Sequence, residues 1–456
     1  MKIKMLNRNQ AECTRERAGD LQRVFRNPDP ALHPFERARE YTRALNAVKL
    51  DRVFAKPFVS AMDGHSDGVF CMAKNPKRLN VLASGACDGE LRVWNLSGNS
   101  CSFNADGAHK GFVRGLSWSA DGSRLLSCGD DKTVKLWSLR AASDGAADGA
   151  AESALQSTFL GARAFTSIDH TWDRSGLFAT GGAALDIWHT QRSKPVHSFS
   201  WGVDMIHAVR YNPAQANVVG STASDRSIAL YDTRLQSPVK KLVLQMVSNT
   251  LAWNPMEPFN FTVANEDHNL YSFDMRKLDQ ATCVHMDHTG AVLDIDFSPT
   301  GQEFVSGSYD RTLRIFKRPG KSGSGHSREV YHTRRMQRIF CVKYSMDSKY
   351  VLSGSDDTNI RLWKADASKQ AGVLLPREKQ AQQYQDTLKR RYGHLSEIRR
   401  IEQHRHVPKV IMKTKNKKRE MRNSALRKEG NRRKHSAPGV VPFKAARKKK
   451  IVTVVE

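Results

Sequence analysis

The sequence predicts an all-β fold: a seven-bladed β-propeller with α-helical, basic extensions at both ends. Three observations carry that prediction. An aromatic residue closes a short β-type run seven times, at Trp94, Trp137, Trp188, Tyr231, Phe273, Phe316 and Trp363. The gaps between them are 43, 51, 43, 42, 43 and 47 residues, the period of a four-stranded blade. The net charge of +27 is divided unevenly, with +6 in residues 1–56, +2 in 57–363 and +19 in 364–456.

These boundaries give three expected parts: a basic helical N-terminal extension over 1–56, the propeller over 57–365 and a basic C-terminal region over 366–456. Length alone would suggest about three separate domains. The repeat overrides that, because blades stack into one closed unit. No stretch reaches the ~20 apolar residues of a membrane span, and MKIKMLNRNQ lacks the apolar centre of a signal peptide. The expected compartment is cytosolic or nuclear. The seven cysteines are odd in number and form no C-x-x-C pair, which argues against disulfides and zinc and for small buried hydrophobes.

The elements follow in chain order. HPFERAREYTRALNAVKLDRVFAKPF (33–58) places Phe35, Ala38, Tyr41, Ala44, Leu45 and Val48 at helical spacing, and Pro34 suits a first turn. This amphipathic helix is expected to pack on the propeller or on a partner. KPFVSAMDGH (56–65) alternates like a strand and is expected to complete the last blade beside residues 351–363, closing the ring. The inserts AASDGAADGAAESA (141–154) and KRPGKSGSGHSRE (317–329) read as surface loops between blades.

Within the repeats, an Asp stands six residues before the aromatic in six of seven units: Asp88, Asp131, Asp225, Asp267, Asp310 and Asp357. The third unit has Gly182 there. A histidine precedes the Asp by 22 to 25 residues in four units (His65, His109, His288, His332), and strand serines lie between (Ser84, Ser127, Ser306, Ser353). These positions resemble the structural tetrad of WD-repeat blades. The resemblance implies a buried hydrogen-bonded chain of His, Ser, Asp and, where present, the indole of Trp94, Trp137 or Trp363. Fourfold repetition argues against a catalytic triad.

The C-terminal region begins with PREKQAQQYQDTLKRRYGHLSEIRRIEQHRHVP, which reads as one helix over about 376–407 with a stripe of Tyr384, Leu388, Tyr392, Leu395, Ile398 and Ile401. The chain beyond Pro408 has dense positive charge and few apolar residues, so it is expected to be largely disordered, or only partly helical, when free. Lys413, Lys415, Lys417, Lys418 and Arg419, then Arg432, Arg433 and Lys434, then Arg447, Lys448, Lys449 and Lys450 offer phosphate-neutralising charge for RNA. The same runs read as a nuclear localisation signal. Aromatics are sparse here (Tyr384, Tyr392, Phe443), so little base stacking is expected.

Two further motifs stand out. Tyr231-Asp232-Thr233-Arg234 and Phe273-Asp274-Met275-Arg276 end the same strand in adjacent blades. They resemble the W-D-x-R box by which WD-repeat receptors dock on the adaptor of cullin-4-type ligases, with Tyr or Phe in place of Trp. The plainer reading of Asp232, Arg234, Asp274 and Arg276 is closure of a local turn. Gly320-Lys321-Ser322 is like the end of a phosphate-binding loop, but the required earlier glycine falls at Ile315. No enzyme motif survives this reading, and no catalytic residue, metal or cofactor is expected.

Seven such repeats framed by HPFERAREYTRALNAVKLDRVFAKPF and RRYGHLSEIRRIEQHRHVPKVI resemble the SOF family of nucleolar WD-repeat proteins over essentially the whole chain. The resemblance implies a non-catalytic component of the small-subunit processome, which contains a box C/D small nucleolar RNA and matures 18S ribosomal RNA. Expected partners are then processome proteins and pre-rRNA or that small nucleolar RNA, in the nucleolus. Animal relatives are also described as substrate receptors of cullin-RING ubiquitin ligases, which is the second reading. A generic histone- or peptide-binding propeller is a third, and leaves the flanks unexplained.

Overall fold

The computed structural model describes residues 30–139, 154–173, 175–201, 205–318, 325–370, 372–437 and 439–455. Most of the 141–154 insert and the Gly320-Lys321-Ser322 motif lie outside the described residues. The chain divides into two compact units: Pro57–Asp366 with Arg405–Glu456, and Met1–Lys56 with Ala367–His404.

The first unit holds seven antiparallel sheets, numbered here as blades 1 to 7 in chain order. Their first strands run through Val69–Lys74, Val113–Trp118, Ser167–His170, Ile206–Tyr211, Ser248–Trp253, Val292–Phe297 and Ile339–Tyr344. These first strands neighbour one another around a central channel. The strands form because apolar and β-branched residues crowd both faces, as in Leu91–Asn95 and Ile360–Lys364. Successive blades bury those faces against each other; Trp94, for example, packs with Met62, Met72 and Leu352. The strand Phe58–Met62 pairs with Ile360–Lys364, setting Phe58 opposite Trp363 and Met62 opposite Ile360. Blade 7 is thus built from both ends of the propeller.

The turn between the second and third strands explains the recurrent aspartate. Asp131 Oδ1 accepts from the Thr133 N–H at 3.1 Å, Asp225 from Ser227 at 3.0 Å and Asp310 from Thr312 at 2.9 Å. The intervening residues Lys132, Arg226 and Arg311 take positive φ of 61°, 66° and 63°. The side chain pins an otherwise unfavourable left-handed turn.

The C-terminal region differs from expectation at three points. Its first helix is broken at Gly393 into α2 (Pro376–Tyr392) and α3 (Ser396–Gln403). Together with the N-terminal α1 (Glu36–Val53) they make the second unit, with Ala44, Val48, Leu388 and Ile398 as its core. Glu40 accepts from the Tyr392 hydroxyl at 2.7 Å and from Arg391 at 3.0 Å. The apolar face of α1 therefore meets C-terminal helices of the same chain. Second, the segment after Pro408 forms a long helix: α4 spans Lys409–Lys434. Lys, Arg, Met and Leu are good helix formers, and the propeller supplies the packing surface the segment lacks. Third, Ile451–Val455 pairs antiparallel with Pro238–Leu244, making blade 4 five-stranded. An unpaired outer strand is a template for such addition, and IVTVV has the β-branched composition to use it.

Candidate partner-binding surfaces

The histidine–serine–aromatic sets differ from blade to blade. Blade 2 has all four parts: His109 Nδ1 lies 3.0 Å from Asp131, His109 Nε2 lies 2.7 Å from Ser127 Oγ, and Trp137 donates to the same Oγ at 2.9 Å. Blade 6 repeats this through His288, Asp310 and Ser306, at 3.1 and 2.7 Å, with Phe316 closing the set by ring contact. In blade 1, His65 and Trp94 meet at Ser84 at 2.6 and 2.7 Å, but the carboxylate facing His65 is Glu90, at 2.8 Å. Asp88 instead accepts the Glu90 N–H at 3.0 Å and holds the turn.

Blade 7 departs furthest from the expected set. Trp363 donates to Ser353 at 2.8 Å, but His332 contacts the His406 carbonyl at 3.2 Å. Tyr331 stacks on Trp363 with ring centres 5.6 Å apart, and Asp357 pairs with Arg361 at 3.0 Å. His332 is one place beyond the residue that enters the blade, so it faces α4's leading segment instead of Ser353. Glu90 and Tyr331 carry no mark in the spacing pattern that would have singled them out.

Burial sets the charge state of these groups. Desolvation lowers His109 below its ordinary 6.5 despite the attraction of Asp131, and His288 likewise despite Asp310. Both rings are held neutral. Burial opposes ionisation of Asp310 too, but the His288 contacts, Arg314 and the Thr289 N–H hold its carboxyl well below the usual range. In blades 1, 2 and 6 the sets are closed, buried networks.

Arg234 and Arg276 occupy equivalent exits in blades 4 and 5. Each guanidinium folds back on its own aspartate: Arg234 Nε and Nη2 reach Asp232 at 3.1 and 2.8 Å, and Arg276 reaches Asp274 at 3.0 and 2.8 Å. Their side chains remain 70% and 61% exposed. Arg276 also lies 4.4 Å over the Phe259 ring. The local turn and an outward-facing cation coexist.

The channel offers apolar surface at both mouths. One, a cavity of about 360 Å³, is lined by Phe70, Arg114, Met205, His207 and Phe340. Arg114 lies 5.1 Å over Phe70 and 4.8 Å over Phe112. The other, of about 400 Å³, is ringed by Trp118, Trp172, Pro213, Trp253, Pro255 and Phe297. Among the described residues no group of three His, Cys, Asp or Glu could hold a metal, and no helix is long and apolar enough to cross a membrane.

The tail cations fall into distinct positions. Lys415 Nζ lies 3.2 Å from Asp287, Lys418 Nζ donates to the Thr289 carbonyl at 2.5 Å, and Arg422 contacts the Met286 sulfur. Burial would raise the Asp287 carboxyl, but the His326 hydrogen bond, Lys415, the Ser327 N–H and Arg314 hold it far below the usual range. Asp287 is therefore a permanent anion under α4, a role that sequence reading missed; its place beside the tetrad His288 was the available hint. Lys413, Lys417, Arg419, Arg432 and Lys434 are exposed, as are Arg447, Lys448 and Lys449. Arg433 pairs with Glu429 at 3.9 Å, Lys449 pairs with Glu429 at 2.7 Å, and the Lys450 carbonyl accepts from the Gln245 N–H at 3.1 Å.

Comparison with known proteins fits this anatomy. A model of the Sof1-like domain matches residues 365–451, and the WD domain, G-beta repeat model matches 56–95, 99–138, 281–317 and 324–364. The WD matches fall on blades 1, 2, 6 and 7, outside the three blades that lack an expected tetrad histidine. DDB1- and CUL4-associated factor 13 of Danio rerio and its counterpart in Homo sapiens are each 53% identical over 456 residues, covering all of both chains. Protein SOF1 of Saccharomyces cerevisiae is 46% identical over 474 aligned positions, covering all of this chain and 95% of the yeast protein. With a seven-bladed propeller, a matching C-terminal region and full-length relatives at this identity, the chain belongs to the Sof1-like family of WD-repeat proteins.

Proposed function

We propose that this chain is a non-catalytic scaffold of ribosome biogenesis, acting in the small-subunit processome on the way to 18S ribosomal RNA. The propeller holds proteins at its channel mouths and rim, and the basic tail holds pre-rRNA or the box C/D small nucleolar RNA, in the nucleolus. The observation that carries the reading is the division of charge: a propeller at +2 bears a region at +19 whose exposed cations outnumber their acidic neighbours. The hydrogen bonds that join His65 to Ser84, His109 to Ser127 and His288 to Ser306 give those residues a structural role, which supports a binding scaffold. Crosslinking to RNA followed by sequencing tests it, with a chain lacking residues 409–456 as control. RNA reads that depend on the tail, together with loss of the truncated chain from nucleolar precursor particles, are expected. Normal 18S maturation by the truncated chain would refute the role of the tail.

A second reading has its own observation. Arg234 and Arg276 present cations at equivalent exits of adjacent blades, and the animal relatives are named for association with DDB1 and CUL4. On this reading the two arginines dock a cullin-4-type ligase adaptor. Arg234→Glu with Arg276→Glu should abolish co-purification of the adaptor while leaving thermal unfolding unchanged. Undiminished co-purification would remove these residues from the docking surface.

A further inference from the structure

The helix α4 divides its cations between two faces. Lys415, Lys418 and Arg422 meet the propeller through Asp287, the Thr289 carbonyl and Met286. At 3.6 residues per turn, Lys413, Lys417, Arg427, Lys428 and Lys434 fall on the opposite face, and all five are exposed. They extend over ~32 Å of helix. Glu420 is the single carboxylate on that face, and Lys409–Lys434 contains no aromatic residue at all.

Two properties of this row select its ligand. The row is fixed in shape, because the helix is tied down near its start by Lys415 and Lys418 and near its end through Glu429, which binds Lys449 at 2.7 Å. A fixed row of charges is matched best by phosphates that are themselves fixed, since a flexible strand would lose conformational freedom on aligning with it. The row also lacks the aromatic platforms on which proteins stack unpaired bases. The nearby Phe443 already has Arg433 4.9 Å over its ring. Duplex RNA, recognised by shape and backbone, needs no such platform.

Resting on the reading that the tail contacts RNA, we infer that the outward face of α4 lies along the phosphate backbone of double-stranded RNA. Lys413, Lys417, Arg427, Lys428 and Lys434 are the contacts. Lys415, Lys418 and Arg422 are struts that hold the helix against the propeller.

The test titrates the full-length chain against a labelled RNA duplex of about 20 base pairs, long enough for the row, and against either of its strands alone. The duplex should bind at least about ten-fold more tightly, with affinity falling steeply as salt rises. The variant Lys413→Ala/Lys417→Ala/Arg427→Ala/Lys428→Ala/Lys434→Ala should lose about ten-fold or more in duplex affinity and show a shallower salt dependence. Replacing the four lysines by arginine should retain duplex binding, which separates charge from loss of fold. If a single strand binds as tightly as the duplex and the alanine variant loses it, the duplex assignment falls while RNA contact by the tail stands. If neither RNA binds better than to a chain lacking residues 405–456, both fall.

Discussion

Ser127 joins two buried ring nitrogens. Its hydroxyl donates to His109 Nε2, and its oxygen accepts the Trp137 indole N–H, at 2.7 and 2.9 Å. Ser127→Ala leaves both partners buried and unmatched, and should cost about 1–3 kcal/mol, measured by urea unfolding. His332→Ala removes a contact to the His406 carbonyl and a ring contact to His406 at 5.7 Å, both outside the blade's buried set, and should change stability by less than about 0.5 kcal/mol. A comparable loss from both variants would contradict the view that only the first belongs to a buried network. The spacing explains why one was legible and the other was not. His109 and His288 each lie 22 residues before their aspartates, whereas His332 lies 25 before Asp357. Counting along a chain finds a histidine but does not say which way its ring turns. The buried rings also fix a pH response. Desolvation lowers His109 and His288 below 6.5 and pushes His285 down to about 4. The unfolded chain then binds more protons than the folded one across the window from 6.5 down toward 4. Stability is full above that window and declines as pH falls through it. Melting temperatures at pH 8, 6 and 5, taken as roughly spanning it, should decrease in that order; a rise on acidification would refute the neutral assignment.

At the scale of the element, the second unit rests on a small core. Leu388 on α2, 3% exposed, meets Ala44 and Val48 of α1 and Ile398 of α3. Leu388→Ala should cost about 2–5 kcal/mol, enough to unfold three short helices that bury little else. Hydrogen exchange should show α1, α2 and α3 opening together while the propeller strands stay protected. Protection retained in α1 would mean that its support comes from elsewhere. Burial recurs at the helical period, so the periodicity placed Ala44, Leu45 and Val48 on the buried face of α1. Ala38, however, is exposed, and the helix begins only at Glu36, leaving Pro34 and Phe35 ahead of it, with Phe35 82% exposed. The periodicity could not name the partner, since α2 lies more than three hundred residues away in sequence. The same gap hid the helix of the tail. Composition counts the apolar residues that a segment brings, and α4 brings few. Its anchors are Asp287 and the Thr289 carbonyl, and the anchor of Ile451–Val455 is the open edge of blade 4. Each belongs to a distant part of the chain.

For the whole molecule, the decisive contact is the one that closes the ring. The repeat count and the alternation of KPFVSAMDGH made it legible, because a propeller with an unfilled last blade exposes a strand edge. Phe58–Met62 supplies the missing strand, with the Lys364 N–H donating to the Pro57 carbonyl at 2.7 Å and the Phe58 ring edge-on to Trp363 at 5.6 Å. Two truncations isolate its contribution, since both remove α1 and differ only in this strand. A chain starting at residue 57 keeps the closure; a chain starting at residue 63 leaves the outer edge of Ile360–Lys364 unpaired. The longer chain should remain monomeric with one propeller transition. The shorter should melt at lower temperature and associate through the exposed edge, visible as larger species in light scattering. A synthetic peptide of residues 57–66 added to the shorter chain should restore the monomer, because the ladder needs the strand and not its covalent connection. Equal melting of the two chains would mean that the stacked faces of the blades hold the ring without a closing strand.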